Sequence, residues 1–168
     1  MKTSALRTRA GIVLASALLL AAPLAAQFRD DFDGPLVKDR EGAKGWGFLT
    51  GEGQAVMDFV PGQGFASITV DATKDKRNVW WAFIIRRVSP WLDLARLAKP
   101  GFEIRVEARI RTDTAPRRVN LHINTQKTTD FHSHLMEYDL AEAGTWYTIS
   151  LTTRGFEAGP GDTVNAQM

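Results

Sequence analysis

The stretch Phe102-Glu103-Ile104-Arg105-Val106-Glu107-Ala108-Arg109-Ile110-Arg111 decides the fold class. Phe102, Ile104, Val106, Ala108 and Ile110 alternate with Glu103, Arg105, Glu107, Arg109 and Arg111. An extended chain sends every apolar side chain of this stretch to one face and every charge to the other. A strand with one buried and one wetted face follows, because a helix of the same sequence would wrap charge around every side.

The neighbouring segments repeat that pattern. After a turn at Asp113–Pro116, Val119, Leu121 and Ile123 alternate with Asn120, His122 and Asn124; Phe131–Leu140 and Trp146–Thr153 read as the next two strands. Upstream, Ala55–Val60 and Phe65–Asp71 flank the turn Pro61-Gly62-Gln63-Gly64, and Asn78–Arg86 is apolar on both faces, as a central strand is. Gln27–Pro35 reads as a short first strand entering an acidic turn, and Lys38–Gly53 as a glycine-rich loop around Trp46 and Phe48. Ser89–Leu97 alone has helical character, with Ser89 as cap and Pro90 in the first turn. About seven short strands with Gly/Pro turns predict an all-β chain, an antiparallel β-sandwich or jelly roll. The expected inward residues are Phe102, Ile104, Val106, Ile110, Leu121, Ile123, Tyr147 and Ile149. Asp162–Met168 begins to alternate like a strand and stops. A closed two-sheet fold would leave an edge there, so either the tail frays or, the preferred expectation, one or two final strands lie beyond Met168.

The 168 residues divide at a targeting boundary. Lys2, Arg7 and Arg9 precede an apolar run from Ala10 to Leu20, and small residues end at Ala26. This is the layout of a secretory signal peptide over residues 1–26, leaving one β-sandwich domain over 27–168. Without those three cations the mature chain carries 18 basic and 19 acidic residues, net −1. The apparent pI of about 9.1 therefore argues for no nucleic-acid partner, and after cleavage no apolar stretch long enough to span a membrane is left. An exported protein, periplasmic or extracellular, is expected. The absence of cysteine removes disulfides, thiolate metal sites and cysteine nucleophiles together.

Three short stretches resemble the jelly-roll carbohydrate-binding modules of the galactose-binding-like superfamily. Asp31-Phe32-Asp33-Gly34 is similar to their acidic opening, Phe102–Arg111 to their extended strand, and Ala143-Gly144-Thr145-Trp146-Tyr147-Thr148-Ile149 to their Gly-x-Trp strand start. The resemblance implies glycan binding, a structural Ca2+ held in part by Asp31 and Asp33, and no organic cofactor. The family's last strands, which supply further calcium ligands, would follow Met168.

Asn120, His122, Asn124 and Gln126 project from one face of their strand, opposite Val119, Leu121 and Ile123. If the next strand pairs with it, His132 and His134, continued by Met136 and Tyr138, are expected on the same sheet face, gathering all three histidines of the chain. Amides and imidazoles offer donors and acceptors to sugar hydroxyls, and flat rings stack on pyranose faces. The same residues also suit an ordinary solvated face. The ligand-binding set is thus Asn120, His122, Asn124, Gln126, His132 and His134, with Trp46 as aromatic platform in preference to Trp146, whose strand-start position reads as structural. The partner is a polysaccharide or oligosaccharide.

Two catalytic alternatives use the same face. In one, His122, His132 and His134 would ligate zinc with an open position. In the other, a polysaccharide lyase, His122 or His132 with Tyr138 would move the proton while Arg118 and Asn120 neutralise the uronic carboxylate. Glu103 and Glu107 share a face but alternate with arginines, a charge ladder rather than a glycosidase pair. For Arg86, Arg87, Arg105, Arg109, Arg111, Arg117 and Arg118, solubility outweighs an acidic glycan as the reading. A structural or protein-interaction domain is the third possibility.

Overall fold

The computed structural model describes residues 27–33, 45–51, 55–75, 81–130 and 132–168; residues 1–26, on which the signal-peptide expectation falls, most of the glycine-rich loop, Val79-Trp80 and Phe131 lie outside them. The described residues form an antiparallel β-sandwich. One layer is a five-stranded sheet in the order β1 (Trp46–Thr50), β4 (Ala82–Arg87), β9 (Val164–Gln167), β6 (Arg117–Thr125), β7 (Leu135–Leu140). Two two-stranded ladders face it: β2 (Val56–Gly62) with β3 (Phe65–Asp71), and β5 (Glu103–Arg111) with β8 (Trp146–Arg154).

The period-two stretch forms β5 and pairs with β8 from Glu103↔Arg154 to Arg111↔Trp146. Its even-numbered residues point inward: Ile104 from β5 and Ile149 and Leu151 from β8 meet Leu121 and Ile123 from β6 and Val164 from β9. A second cluster packs Met57 and Phe59 of β2 on Ile84 of β4, walled by Phe32, Trp46 and Phe48. Both clusters cover the same face of the five-stranded sheet, and Met168 touches both. Tyr138 of β7 spans the layers: its hydroxyl donates to Ser150 O of β8 and accepts from Ser150 N at 3.0 Å. That satisfies the backbone N–H and carbonyl of Ser150 on the β8 edge away from β5, where among the described residues no strand pairs with it.

Several local expectations are corrected. The loop around Trp46 contains β1, while residues 27–33 form no strand. Gly45 precedes β1 with φ +79°, a left-handed conformation that favours glycine, and a Cβ there would lie 1.9 Å from Arg86 Nη1 and push that guanidinium aside. The Pro61–Gly64 turn is as read: Gln63 and Gly64 both have positive φ, 59° and 85°, giving the primed hairpin turn that suits strand twist. Ser89–Trp91 is a 3-10 turn, and the helical turn α1 (Leu94–Leu97) is capped by Asp93, whose carboxylate accepts from Arg96 N at 3.0 Å; Ser89 caps nothing. Phe102 precedes β5 and stays 40 % exposed under the Arg96 guanidinium rather than entering the core. The last strand, β9, is no half-made edge, since it pairs with β4 on one side and β6 on the other.

Candidate functional site

The face of the five-stranded sheet turned away from the core carries the polar row of β6. Because Leu121 and Ile123 fill the core, Asn120, His122 and Asn124 point outward. The register continues that row across the sheet: Gly47↔Ile85, Ile85↔Gln167, Gln167↔His122 and His122↔Leu135 lie side by side on one line. The next line is Arg87, Asn165 and Asn124, with Asn165 Nδ2 donating to Asn124 Oδ1 at 3.3 Å. Adjacent strands run about 4.8 Å apart, so half-buried His122, Gln167 and Asn165 lie close together across β6 and β9, while Asn124, 7 % exposed, is buried beneath the row. At the β1–β4 side of the face Trp81 stacks on Phe83, centroids 5.3 Å apart and planes 10° from parallel, beside exposed Leu49. Asn120 Oδ1 is enclosed and has no hydrogen-bond partner among the described residues. An unmet buried acceptor costs about 1–3 kcal/mol, so Asn120 is held here against stability.

Strand parity corrects the expected gathering of histidines. His122 faces Leu135 and Asn120 faces Glu137, so the odd-numbered residues of β7 share the outer face; Met136 and Tyr138 take the opposite side, where Tyr138 packs on the core and Met136 stays 44 % exposed. His134 precedes β7 in a turn; its Nδ1 lies 2.6 Å from Thr153 Oγ1 and its ring meets Phe156 edge-on at 5.0 Å, against the other layer. His132 is exposed in the same turn, its backbone N–H donating to Asp130 Oδ1 at 2.9 Å. That bond is the largest cause holding the Asp130 carboxyl below its ordinary value. A one-residue shift in a strand reverses every side chain, so the imidazoles do not converge. The lyase set is equally dispersed. Arg118 is engaged by Asp139 at 2.9 and 3.2 Å, which holds the carboxyl down and the guanidinium up, and Tyr138 is spent on Ser150.

Gln126 is committed elsewhere. Its Nε2 donates to Asp162 Oδ1 at 2.8 Å and its Oε1 accepts from Thr163 N at 2.8 Å, clasping the turn before β9. Lys127 Nζ, at 2.9 Å, and Gly159 N, at 2.8 Å, complete the partners of Asp162, and the Lys127 bond is the foremost cause of its lowered pKa. Trp46 is half-buried within 5.7 Å of Phe32 and 6.1 Å of Phe59, with its indole N–H donating to Asp30 Oδ2 at 2.8 Å. Trp146, read as structural, is 44 % exposed. The roles of the two tryptophans in packing are therefore the reverse of the expected ones.

Calcium needs six to eight oxygens around one point. Asp31 is taken by Arg29 Nε at 2.8 Å, and among the described residues no three His, Cys, Asp or Glu side chains gather as metal ligands. As placed, Asp31 and Asp33 do not form a calcium site by themselves. The outer-face residues missed in the sequence are Asn165 and Gln167, although alternation over Asp162–Met168 already put them on one side of a strand. No helix among the described residues is long and apolar enough to cross a membrane. No protein-family model, curated protein or solved structure matches the chain.

Proposed function

We propose that the chain is an exported, non-catalytic polysaccharide-binding protein whose glycan lies across the outer face of the five-stranded sheet. The observation that carries this reading is the cross-strand pair Gln167 and His122 with half-buried Asn165 beside them, on the same face as the stacked Trp81–Phe83 pair. Amides and an imidazole supply directional bonds to hydroxyls, and an exposed indole supplies a flat apolar surface for a pyranose ring. A sugar chain crossing the strands would meet one polar group about every 4.8 Å.

The test is retention of the purified protein on neutral and uronic polysaccharides, with products assayed for unsaturated ends. Binding lost in His122→Ala and Gln167→Ala, with no product from any form, supports the reading. Product that disappears in His122→Ala makes the chain an enzyme instead, and failure to bind any glycan leaves a structural or interaction domain. Export is tested by intact mass: a periplasmic or secreted product starting at Gln27 supports it, and a cytosolic product retaining Met1 refutes it. Calcium belongs to the reading only as a further ligand-dependent clip, in which Asp31 exchanges Arg29 for the ion and Asp33 joins it.

A further inference from the structure

The opposite layer carries a second surface of different chemistry. Ile104, Ile149 and Leu151 fill the core from β5 and β8, so Glu103, Arg105, Glu107, Arg109 and Arg111 face outward, with Trp146, Thr148 and Arg154 on the partner strand. The charges on this face are unevenly spent. Arg105 pairs with Glu107 at 2.7 Å and Arg154 with Glu103 at 3.0 Å. Arg111 reaches only Asp113, at 3.9 Å, and that carboxylate is 90 % exposed; among the described residues no carboxylate pairs with Arg109. The nearby Glu142 accepts from Thr145 Oγ1 at 3.3 Å. Both underused guanidiniums flank the exposed Trp146 ring, at 5.3 Å for Arg109 and 5.4 Å for Arg111 from its centroid. Positive charge and an exposed flat ring thus coincide at one end of a face that is otherwise neutralised pair by pair.

We propose that Arg109, Arg111 and Trp146 form a binding site for an anionic glycan, with a pyranose ring against the indole and its carboxylate or sulfate on the guanidiniums. A guanidinium grips such planar or tetrahedral anions with two N–H donors, which a lysine cannot do. The two arginine stems stand about 7 Å apart along β5, which allows successive sugar anions to be held separately. Beyond these two arginines the face is neutralised by the Arg105–Glu107 and Arg154–Glu103 pairs and offers no continuous positive strip for a polyphosphate, so a short run of spaced sugar anions fits better than a nucleic acid. This site is separate from the outer face of the five-stranded sheet and does not rest on that proposal.

The experiment is titration of the full purified protein at low salt with oligogalacturonate, sulfated dextran, neutral dextran and single-stranded DNA, read by calorimetry and tryptophan emission. Oligogalacturonate or sulfated dextran should bind, with the Arg109→Ala/Arg111→Ala double variant at least tenfold weaker and less sensitive to added salt. Trp146→Ala should weaken binding and remove the emission change, with Trp146→Phe retaining part of the affinity. His122→Ala, on the other layer, should leave this binding unchanged, which separates failure here from failure of the other site. If Trp146→Ala does not fold, Arg109→Glu, at an exposed position, reads the same site by charge reversal. Unchanged affinity in the folded double variant or in Arg109→Glu overturns the proposal. So does single-stranded DNA bound more tightly than either anionic glycan, which would make the site a nucleic-acid surface.

Discussion

The parity of β6 can be tested by cutting two adjacent side chains. Ile123 is 1 % exposed and packs among Leu121, Ile149 and Val164, whereas His122 points to the outer face. Ile123→Ala removes three carbons at about 0.8 kcal/mol each in transfer, roughly 2.4 kcal/mol. The rigid neighbours supplied by three strands collapse only in part, and the cavity adds to that loss, giving roughly 3–4 kcal/mol within the usual range for such truncations. For a domain of this size each kcal/mol moves Tm by about 3 °C, so the midpoint should fall by about 10 °C. His122→Ala, which opens no core cavity, should stay within about 0.5 kcal/mol. Thermal melts followed by circular dichroism, supported by urea titrations with unchanged slope, measure both. Equal losses, or a larger loss for His122→Ala, would mean that β6 is turned over and that the outer polar row does not exist.

Other consequences are as direct. Tyr138→Phe deletes both hydrogen bonds to Ser150 and leaves that strand edge without its side-chain partner, so urea unfolding should show a loss of about 1–3 kcal/mol without a change in sheet content. Asn120→Val removes the enclosed, unmet Oδ1 and places a β-branched residue in a strand. It should raise Tm while weakening retention on polysaccharide; a fall in both would show that Asn120 serves structure. Asp162 has a folded pKa below its ordinary value of 3.8, so its contribution is complete above that value and disappears as pH falls through the lower folded one. Acid melts of Asp162→Asn should therefore start from a lower Tm at neutral pH and converge with wild type as the pH falls through the lowered folded pKa of Asp162. For calcium, a rise in Tm over a chelator control that Asp33→Asn abolishes would establish the clip, and superimposable curves would end it.

The alternation in Phe102–Arg111 was sufficient for the fold class because a period of two fixes which side is wet without knowledge of the partner strand. The inward set held for Ile104, Leu121, Ile123 and Ile149, each buried. Register was not legible. Whether His132 or Leu135 shares a face with His122 depends on where the β6–β7 turn ends, and the turn absorbs residues up to His134. The two tryptophans inverted for a related reason. Trp46 looks exposed among glycines, yet Asp30 and the Phe28–Phe32 segment fold over it from a stretch with no strand of its own. Gln126 resembles Asn120 and Asn124 in sequence, but the strand ends at Thr125, and beyond it the amide meets a turn from the far end of the chain. Such long-range pairings leave no local pattern to read.

The strand at Val164–Gln167 gives the molecule an unusual order of assembly. Ile85 of β4 and His122 of β6 both pair with Gln167, a residue later in the chain than either, and in the sheet β9 is the strand that lies between β4 and β6. Without β9 the sheet has a slot one strand wide between β4 and β6. Loop closure across so much chain is entropically costly and must precede the reward of pairing, which slows folding. The open slot has two unsatisfied edges, so it is also the position where a foreign strand would most readily lodge.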